Sequence, residues 1–256
     1  MENIFDTHAH YDDEAFSEDR EELLGLLQKR GVSHVITCGT NLITSYHSLK
    51  LAQKYDYIYC ALGFHPEDIA DERKGDLDVI KDLLKSEEKA VAGGESGLDY
   101  HYPDGAPREV QIDLFRRQIE LANELSLPVI VHDRDAHEDT FNILKELHPK
   151  GVVHCFSGSA EMAKEYIKLG FFIGVGGVVT FKNARKAVEV VEAIPLESIL
   201  LETDCPYMAP TPFRGQRNDS SLISYVAEKI AEIKGVTPQE VCDITNENAK
   251  RLFSIK

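Results

Sequence analysis

Residues of the types that bind divalent metals are spread along the 256-residue chain: His8, His10, Glu95, His132, His154 and Asp204. His8 and His10 are two residues apart, so on a β-strand both rings point to the same side and can chelate one ion. Imidazole nitrogens and carboxylate oxygens together form a mixed donor set suited to Zn, Mn, Fe or Co. Six donors exceed what one tetrahedral ion takes and suit two ions about 3.5–4 Å apart. The residue types therefore indicate a site for two divalent metals.

Each of these residues alone has a simpler structural interpretation. A lone His-X-His is weak support for a ligand pair, and a carboxylate such as Glu95 at a strand end is more often an ion-pair partner. His132 and His154 could each be core histidines, and Asp204 could cap the loop that follows it. What favours the metal site is coincidence, because all six residues lie at or just after the ends of predicted strands.

Short apolar runs predict eight strands, and a stretch with helical spacing follows each of them. The predicted strands cover residues 3–7, 33–37, 57–62, 90–94, 128–131, 151–153, 171–175 and 198–201. The predicted helices cover about 17–30, 42–55, 76–86, 107–125, 137–147, 160–169, 183–193, 219–234 and 237–253. Proline disfavours the helical region for the residue before it, so the helix that begins at Pro107 is expected to end before Pro128.

Alternating strands and helices predict parallel pairing through crossover connections, and two architectures share that pattern. An open doubly wound sheet would spread the candidate ligands along one edge. A barrel would bring all the carboxyl ends of the strands to one mouth, where such enzymes build their sites. The positions of the ligands therefore favour an α/β fold of the (β/α)8 TIM barrel type, and residues 1–256 match the roughly 250 residues of one such domain.

Charge limits how the protein meets nucleic acid. The chain carries 28 basic and 44 acidic residues, a net charge of −16, which disfavours a sequence-reading DNA-binding module. Phosphate would have to be bound locally, and His65, Arg134 and Arg214 are predicted to contact substrate. Other basic residues near predicted strand ends are Lys182, Arg185, Lys186 and Arg217, although solvated surface charge is the simpler interpretation of Lys186.

The cysteines and the amino terminus bear on location. Five cysteines form no Cys-X-X-Cys pair, which is typical of free thiols in a reducing cytosol. The start of the chain lacks the basic and apolar regions of a secretory signal, and no run of 18 apolar residues exists. We therefore expect a cytoplasmic protein with no membrane partner and no obligate protein partner.

Taken together and in order, the motifs around the candidate ligands resemble the TatD family of metal-dependent hydrolases, which belongs to the amidohydrolase-like barrels. The resemblance covers essentially the whole chain. The motifs are Thr7-His8-Ala9-His10, Gly63-Phe64-His65-Pro66, Gly94-Glu95-Ser96-Gly97-Leu98-Asp99-Tyr100, His132-Asp133-Arg134, His154-Cys155-Phe156-Ser157-Gly158 and Glu202-Thr203-Asp204.

The resemblance implies a TIM barrel with divalent metals and a deoxyribonuclease activity, often 3′-to-5′ exonucleolytic. Carried over residue by residue, it implies that His8, His10 and Asp204 hold one metal. It implies that His132 and His154 hold the other and that Glu95 bridges the two. The chain departs from the family pattern at Ser96, where an apolar residue is usual, and after Arg214, where Glu-Pro is common. Neither departure falls on a proposed ligand.

The favoured hypothesis is phosphodiester hydrolysis with two divalent ions, which could be Mg²⁺, Mn²⁺, Zn²⁺ or Co²⁺. The ions would activate a water, Glu95 and Asp204 would act as the catalytic carboxylates, and Asp204 would accept the proton. DNA is the expected substrate, and RNA or a small phosphodiester are alternative substrates for the same reaction. A second hypothesis is hydrolysis of a cyclic amide, a lactone or a D-aminoacyl-tRNA ester on the same metals, and a third is a non-catalytic metal-binding scaffold. Cyclic amidohydrolases commonly use a modified lysine where this chain has Glu95, which favours the first hypothesis.

Overall fold

Eight strands pair in parallel and in chain order, from β1 to β8. The computed structural model describes residues 1–256 apart from the side chain of Asp71. The strands are β1 Ile4–Ala9, β2 Val32–Cys38, β3 Ile58–Leu62, β4 Ala90–Asp99, β5 Val129–Arg134, β6 Gly151–Val153, β7 Phe172–Val175 and β8 Ile199–Leu201. A bridge between Ala9 and Cys205 brings the chain after β8 back to β1, and the amide of His10 donates to the carbonyl of Cys205 at 2.8 Å. The prediction of a TIM barrel is confirmed.

Helices follow the strands and cover the outside of the barrel. They are α1 Arg20–Leu27, α2 Leu42–Lys54, α3 Asp76–Ser86, α4 Arg108–Leu125, α5 His137–Leu147, α6 Ala160–Lys168, α7 Arg185–Ala193, α8 Ile223–Lys234 and α9 Pro238–Phe253. The helix α4 begins at Arg108, one residue later than predicted, and Pro107 is its N-cap residue, with an extended ψ of 145°. Within the described part of the chain, no helix has the length and apolarity that crossing a bilayer requires.

The last helix closes the amino-terminal end of the barrel, which we call the floor. The Asn246 amide donates to the carbonyl of Asn3, and the Asn248 amide donates to those of Leu196 and Ile199, at or near the starts of β1 and β8. Buried apolar side chains fill the space between this helix and the strands: Phe5, Ile36, Ala61, Ala92, Ile130, Val152, Leu200, Leu252, Phe253 and Ile255. The floor is therefore hydrocarbon, which leaves the opposite end of the barrel for polar groups.

Two of the irregularities in strand register lie beside candidate ligands. On β1, the three steps from Asp6 to Ala9 lie opposite only two steps of β2. On β4, the three steps from Gly93 to Ser96 lie opposite two steps of β5. Each strand thus carries one extra residue, a β-bulge that redirects the side chains after it.

Glycine permits the bulge on β4. Gly94 has φ +118°, and a Cβ there would lie 2.6 Å from the carbonyl oxygen of Ile130, so no larger residue fits. The strand then continues to Asp99, whereas the sequence predicted an end at residue 94. Two consecutive glycines, Gly93 and Gly94, predict a strand end, but here they mark the place where the backbones of β4 and β5 come close together.

Candidate metal centre

Strand periodicity places two of the histidines. Ile130 and Val152 point into the barrel, in the apolar cluster of the floor, and in an extended chain the residues two positions later point the same way. Those residues are His132 and His154, and His132 Nδ1 lies 3.2 Å from His154 Nε2. These two rings form one side of the candidate site.

The other side is built where β1 and β8 meet. His8 Nε2 and His10 Nε2 are 3.1 Å apart, and Asp204 Oδ1 lies 3.7 Å from the first and 3.4 Å from the second. The backbone amide of Asp204 donates to the carbonyl of His8 at 2.9 Å. This bond ties the end of β8 to the end of β1 and fixes the carboxylate against the two rings.

Glu95 lies between the two groups of histidines. Its Oε1 is 3.0 Å from His132 Nδ1 and 2.7 Å from His154 Nε2. Its Oε2 is 3.2 Å from His8 Nε2 and 3.4 Å from His10 Nε2. One carboxylate therefore presents a separate oxygen to each group, as a ligand shared by two ions would.

The donor atoms fit a cation. His10 Nδ1 is 3.0 Å from the carbonyl oxygen of Cys38, and because a carbonyl only accepts, Nδ1 carries the proton. In the neutral ring, Nε2 then has a lone pair, and it faces the Nε2 of His8. Within the described residues, sets of three such atoms lie within 4.8 Å of one another, among them His8–His10–Glu95 and His8–His154–Asp204. Facing donors of this kind suit a divalent metal held by nitrogen and oxygen.

The electrostatics agree with this fit. Burial alone would raise the pKa of Glu95, but His154, His8 and His65 hold it well below its usual range. Burial alone would lower the pKa of His10, but its hydrogen bonds to Asp204 and Glu95 raise it well above its usual range. The carboxylates thus stay ionised and attract positive charge, which a proton or a metal can supply.

A further carboxylate, which sequence reasoning missed as a site residue, orients His132. Asp99 Oδ2 accepts from His132 Nε2 at 3.0 Å, which turns Nδ1 towards Glu95 and His154 on the inner side. Although burial opposes it, the bonds to Asp99 and Glu95 raise the pKa of His132 to about 9. Carboxylates behind a ligating histidine commonly fix its orientation in this way. The signal was obscured because β4 was expected to end before Asp99.

His65 lies next to the second group, in the mouth of the barrel as predicted. Its Nε2 is 3.5 Å from Glu95 Oε1, and its ring packs edge-on against that of His132 at 4.3 Å between centroids. Burial, with the neighbouring histidines opposing Glu95, lowers the pKa of His65 to about 3. The ring is therefore neutral at neutral pH.

A cavity of about 680 Å³ opens beside the centre, within the ~300–1,000 Å³ usual for small-molecule sites. His132, His154 and Asp204 line it on the side of the centre. Apolar side chains such as Phe156 and Val179 line much of the remainder. The cavity thus offers an apolar surface directly beside the clustered donors.

The predicted phosphate contacts divide into two groups. Arg134, Arg185 and Lys186 line the cavity. Arg185 pairs with Glu189 at 2.7 Å, and Lys186 is exposed, as its interpretation as a solvated surface charge expects. The described residues that line the cavity do not include Arg214, whose guanidinium stacks on Phe181 at 4.4 Å. Arg217 pairs with Asp19 at 2.6 Å. Stacking and pairing with neighbours on the surface were not readable from the spacing of these arginines.

Comparison with known proteins gives consistent matches. A family model described as TatD related DNase matches residues 5–254. The uncharacterized metal-dependent hydrolase YabD of Bacillus subtilis is 48% identical over 255 residues, 98% of this chain and 99% of the relative. The 3′-5′ ssDNA/RNA exonuclease TatD of Salmonella typhimurium is 32% identical over 262 residues, 98% and 99% of the two chains. The crystal structure of YjjV, a TatD homologue from Escherichia coli, matches with a TM-score of 0.93 and 35% identity over 99% of both chains.

These matches cover nearly the whole chain, including the strands and the residues with clustered donor atoms at the mouth of the barrel. The similarity of fold, the names of the relatives and the nitrogen–oxygen donor set agree with one another. The protein belongs to the TatD family of metal-dependent hydrolases.

Proposed function

We propose that this protein is a deoxyribonuclease that hydrolyses phosphodiester bonds near the end of a single strand. The observation that carries the proposal is Glu95, whose two oxygens face two separate groups of histidines. Two-ion centres of this type stabilise the attacking and leaving oxygens of phosphoryl transfer. The exonuclease named among the relatives, at 32% identity, supports the same substrate class.

The proposed ligand sets are those that the family resemblance implies, and the distances within each set support them. His8, His10 and Asp204 would hold one ion, His132 and His154 would hold the other, and Glu95 would contact both. When bound, two divalent ions supply a water of lowered pKa and offset negative charge on the phosphoryl oxygens. The chain's residues must then orient the substrate and take up the proton.

Asp204 is the proposed proton acceptor. Burial alone would raise its pKa, but the hydrogen bond from His10 and the charges of His8 and His154 lower it. The carboxylate is therefore ionised at neutral pH. Its side chain keeps 21% of its surface exposed and lines the cavity, so water and substrate can reach it.

The cavity and its basic residues supply the proposed substrate contacts. Arg134 lines the cavity together with His132 and His154. Its guanidinium donates to the Tyr102 hydroxyl at 3.1 Å, and this bond fixes the position of the positive charge. The apolar surface of the cavity can take one base or sugar of a terminal nucleotide. Because the whole chain carries a net charge of −16, binding should be local and strongly dependent on salt.

A substrate panel tests the proposal. Metal-stripped protein is reconstituted with Mg²⁺, Mn²⁺, Zn²⁺ or Co²⁺ and assayed with single-stranded DNA, RNA, a chromogenic phosphodiester, a cyclic amide, a lactone and a D-aminoacyl-tRNA. We expect the nucleic acids to be cleaved only with metal present. Cleavage of the amide, lactone or aminoacyl ester alone would overturn the proposal, and so would full activity in protein shown to be metal-free.

The Asp204→Asn variant serves as the matched control in that panel. The amide oxygen can still contact a metal, but it cannot accept the proton of the attacking water. We expect metal to be retained and turnover to fall by about 10²–10⁴-fold, the usual contribution of general-base catalysis. Near-wild-type turnover would show that another group takes the proton.

A further inference from the structure

His65 occupies a defined position in the local backbone. It is the N-cap of a 3-10 helix, Pro66–Asp71, and Pro66 at the first helical position has no amide hydrogen to satisfy. The next amide is that of Glu67, and it donates to His65 Nδ1 at 3.1 Å. The sequence His-Pro-Glu therefore makes the imidazole itself the helix cap.

This hydrogen bond assigns the proton on the ring. A protonated imidazole has a hydrogen on both nitrogens and cannot accept from an amide. Because Nδ1 accepts, the ring is neutral and its proton lies on Nε2. His10 and His132 are opposite cases, since their outer nitrogens face the Cys38 carbonyl and the Asp99 carboxylate. When these two rings are neutral, as metal binding requires, their inner nitrogens present lone pairs, whereas His65 presents an N–H.

The N–H of His65 faces the centre of the site. Nε2 lies 3.5 Å from Glu95 Oε1, longer than the 2.7–3.2 Å of a good N–H···O bond. The side chain is 11% exposed. Its donor is thus held in place by the helix cap, on the side of Glu95 that faces His132 and His154, without a strong bond to that carboxylate.

We propose that His65 is a neutral hydrogen-bond donor to the substrate and not a metal ligand, even though its Nε2 lies close enough to Glu95 and His132 for a shared ion. Nε2–H would bind the phosphoryl oxygen on which negative charge grows during attack. The assignment of the oxygen rests on the proposed function, whereas the assignment of donor rather than ligand does not. A fixed donor at such a position is worth about 10²–10³-fold in kcat.

The His65→Asn variant separates donor from ligand. Asparagine is a favoured N-cap residue, so its side-chain oxygen can still accept from the Glu67 amide, but the side chain is too short to reach the centre. We expect the same metal content as wild type, a similar KM for the chromogenic phosphodiester and a kcat lowered by about 10²–10³-fold. His65→Gln, which restores an amide N–H at longer reach, should recover part of the loss. Loss of one ion in His65→Asn, or an unchanged kcat, would overturn the proposal.

A second measurement is independent of activity. Nitrogen-15 NMR of ring-labelled histidine reports which nitrogen carries the proton, before and after the protein is loaded with Zn²⁺. We expect His65 to keep its proton on Nε2 in both states, while His10 Nε2 and His132 Nδ1 respond to the metal. A proton on Nδ1 in the metal-free protein would contradict the proposal, and loss of the Nε2 proton when metal is added would make the ring a ligand. If the wild type cleaves no phosphodiester, the proposed function fails, and this measurement still decides between donor and ligand.

Discussion

The two ends of the barrel are built on the same strands but differ in polarity: the floor is apolar and the mouth is charged. At the floor, Phe5, Ile130 and Val152 pack against the end of α9. At the mouth, two residues further along β5 and just beyond β6, His132 and His154 face a carboxylate. The floor excludes water and holds the strands in register, whereas the mouth collects charged groups that are costly to bury. The difference predicts that changes at the mouth impair chemistry and changes at the floor impair stability.

The largest effect is expected at the mouth, from Glu95→Gln. A neutral amide is a poor ligand for two dications, so both ions should bind more weakly and together. We expect turnover to fall by at least about 10³-fold, the upper cost of one lost electrostatic contact, with metal content falling in parallel. Elemental analysis and turnover on one preparation provide the measurement.

His154→Ala is the matched control for that variant. His154 lies by only one of the two oxygens of Glu95, so this change should preferentially empty one site. If Glu95→Gln and His154→Ala each lose the same single ion, Glu95 does not join two metals.

At the floor, Phe253→Ala should be costly in a different way. Phe253 is 3% exposed and its ring lies 6.4 Å from that of Phe5, so removing it leaves a cavity. We expect the free energy of unfolding to fall by about 3–5 kcal/mol, measured by denaturant titration. Metal content and turnover of the folded protein should be unchanged well below the melting temperature. A loss of metal affinity comparable to that of Glu95→Gln would show that the two ends are not separable.

A smaller expected effect is on how stability depends on pH, which differs between the two ends of the barrel. His34 stacks on Phe5 at the floor, and burial, with Lys250 and Lys89 nearby, lowers its pKa to about 4. Between pH 4 and the unfolded value near 6.5, the unfolded chain binds more protons, so this residue makes stability fall as pH falls. The slope is at most about 1.4 kcal/mol per pH unit, and His34→Phe should remove it.

His137 is the matched residue near the mouth, and its effect on the pH dependence of stability is opposite to that of His34. Its hydrogen bond to Asp133 raises its pKa. Its stabilising effect is therefore present below pH 6.5 and is lost as the pH rises through the folded value. Melting temperatures of His34→Phe, His137→Gln and wild type, followed from pH 4 to 8, test the two assignments. Parallel curves for His34→Phe and wild type below pH 6.5 would contradict the assignment at the floor.

Sequence patterns predicted what regular strands determine. The alternation of strands and helices predicted the barrel. Side chains two residues apart on a strand point to the same face, which explains why His132 on β5 and His154 just after β6 point inward. Period two does not explain Glu95, because a bulge at Gly94 redirects it. Such a bulge depends on contacts with a neighbouring strand, which a single segment does not contain.

The substrate contacts were less predictable for a related reason. Position after a strand predicted His65 and Arg134 near the mouth, and both lie there. The same logic selected Arg214, whose side chain stacks on Phe181 and is not among the described residues that line the cavity. Its contact with substrate stays a prediction. The direction of a long side chain on a loop depends on the partners that the folded loops bring to it. Sequence position alone does not contain those partners.

Anomalous diffraction from crystals of the Mn²⁺-loaded protein tests the shared-ligand arrangement most directly. We expect two peaks about 3.5–4 Å apart, one beside His8 and His10 and one beside His132 and His154, with Glu95 between them. A single peak beside His8 and His10, with none near His132 and His154 at saturating metal, would contradict it.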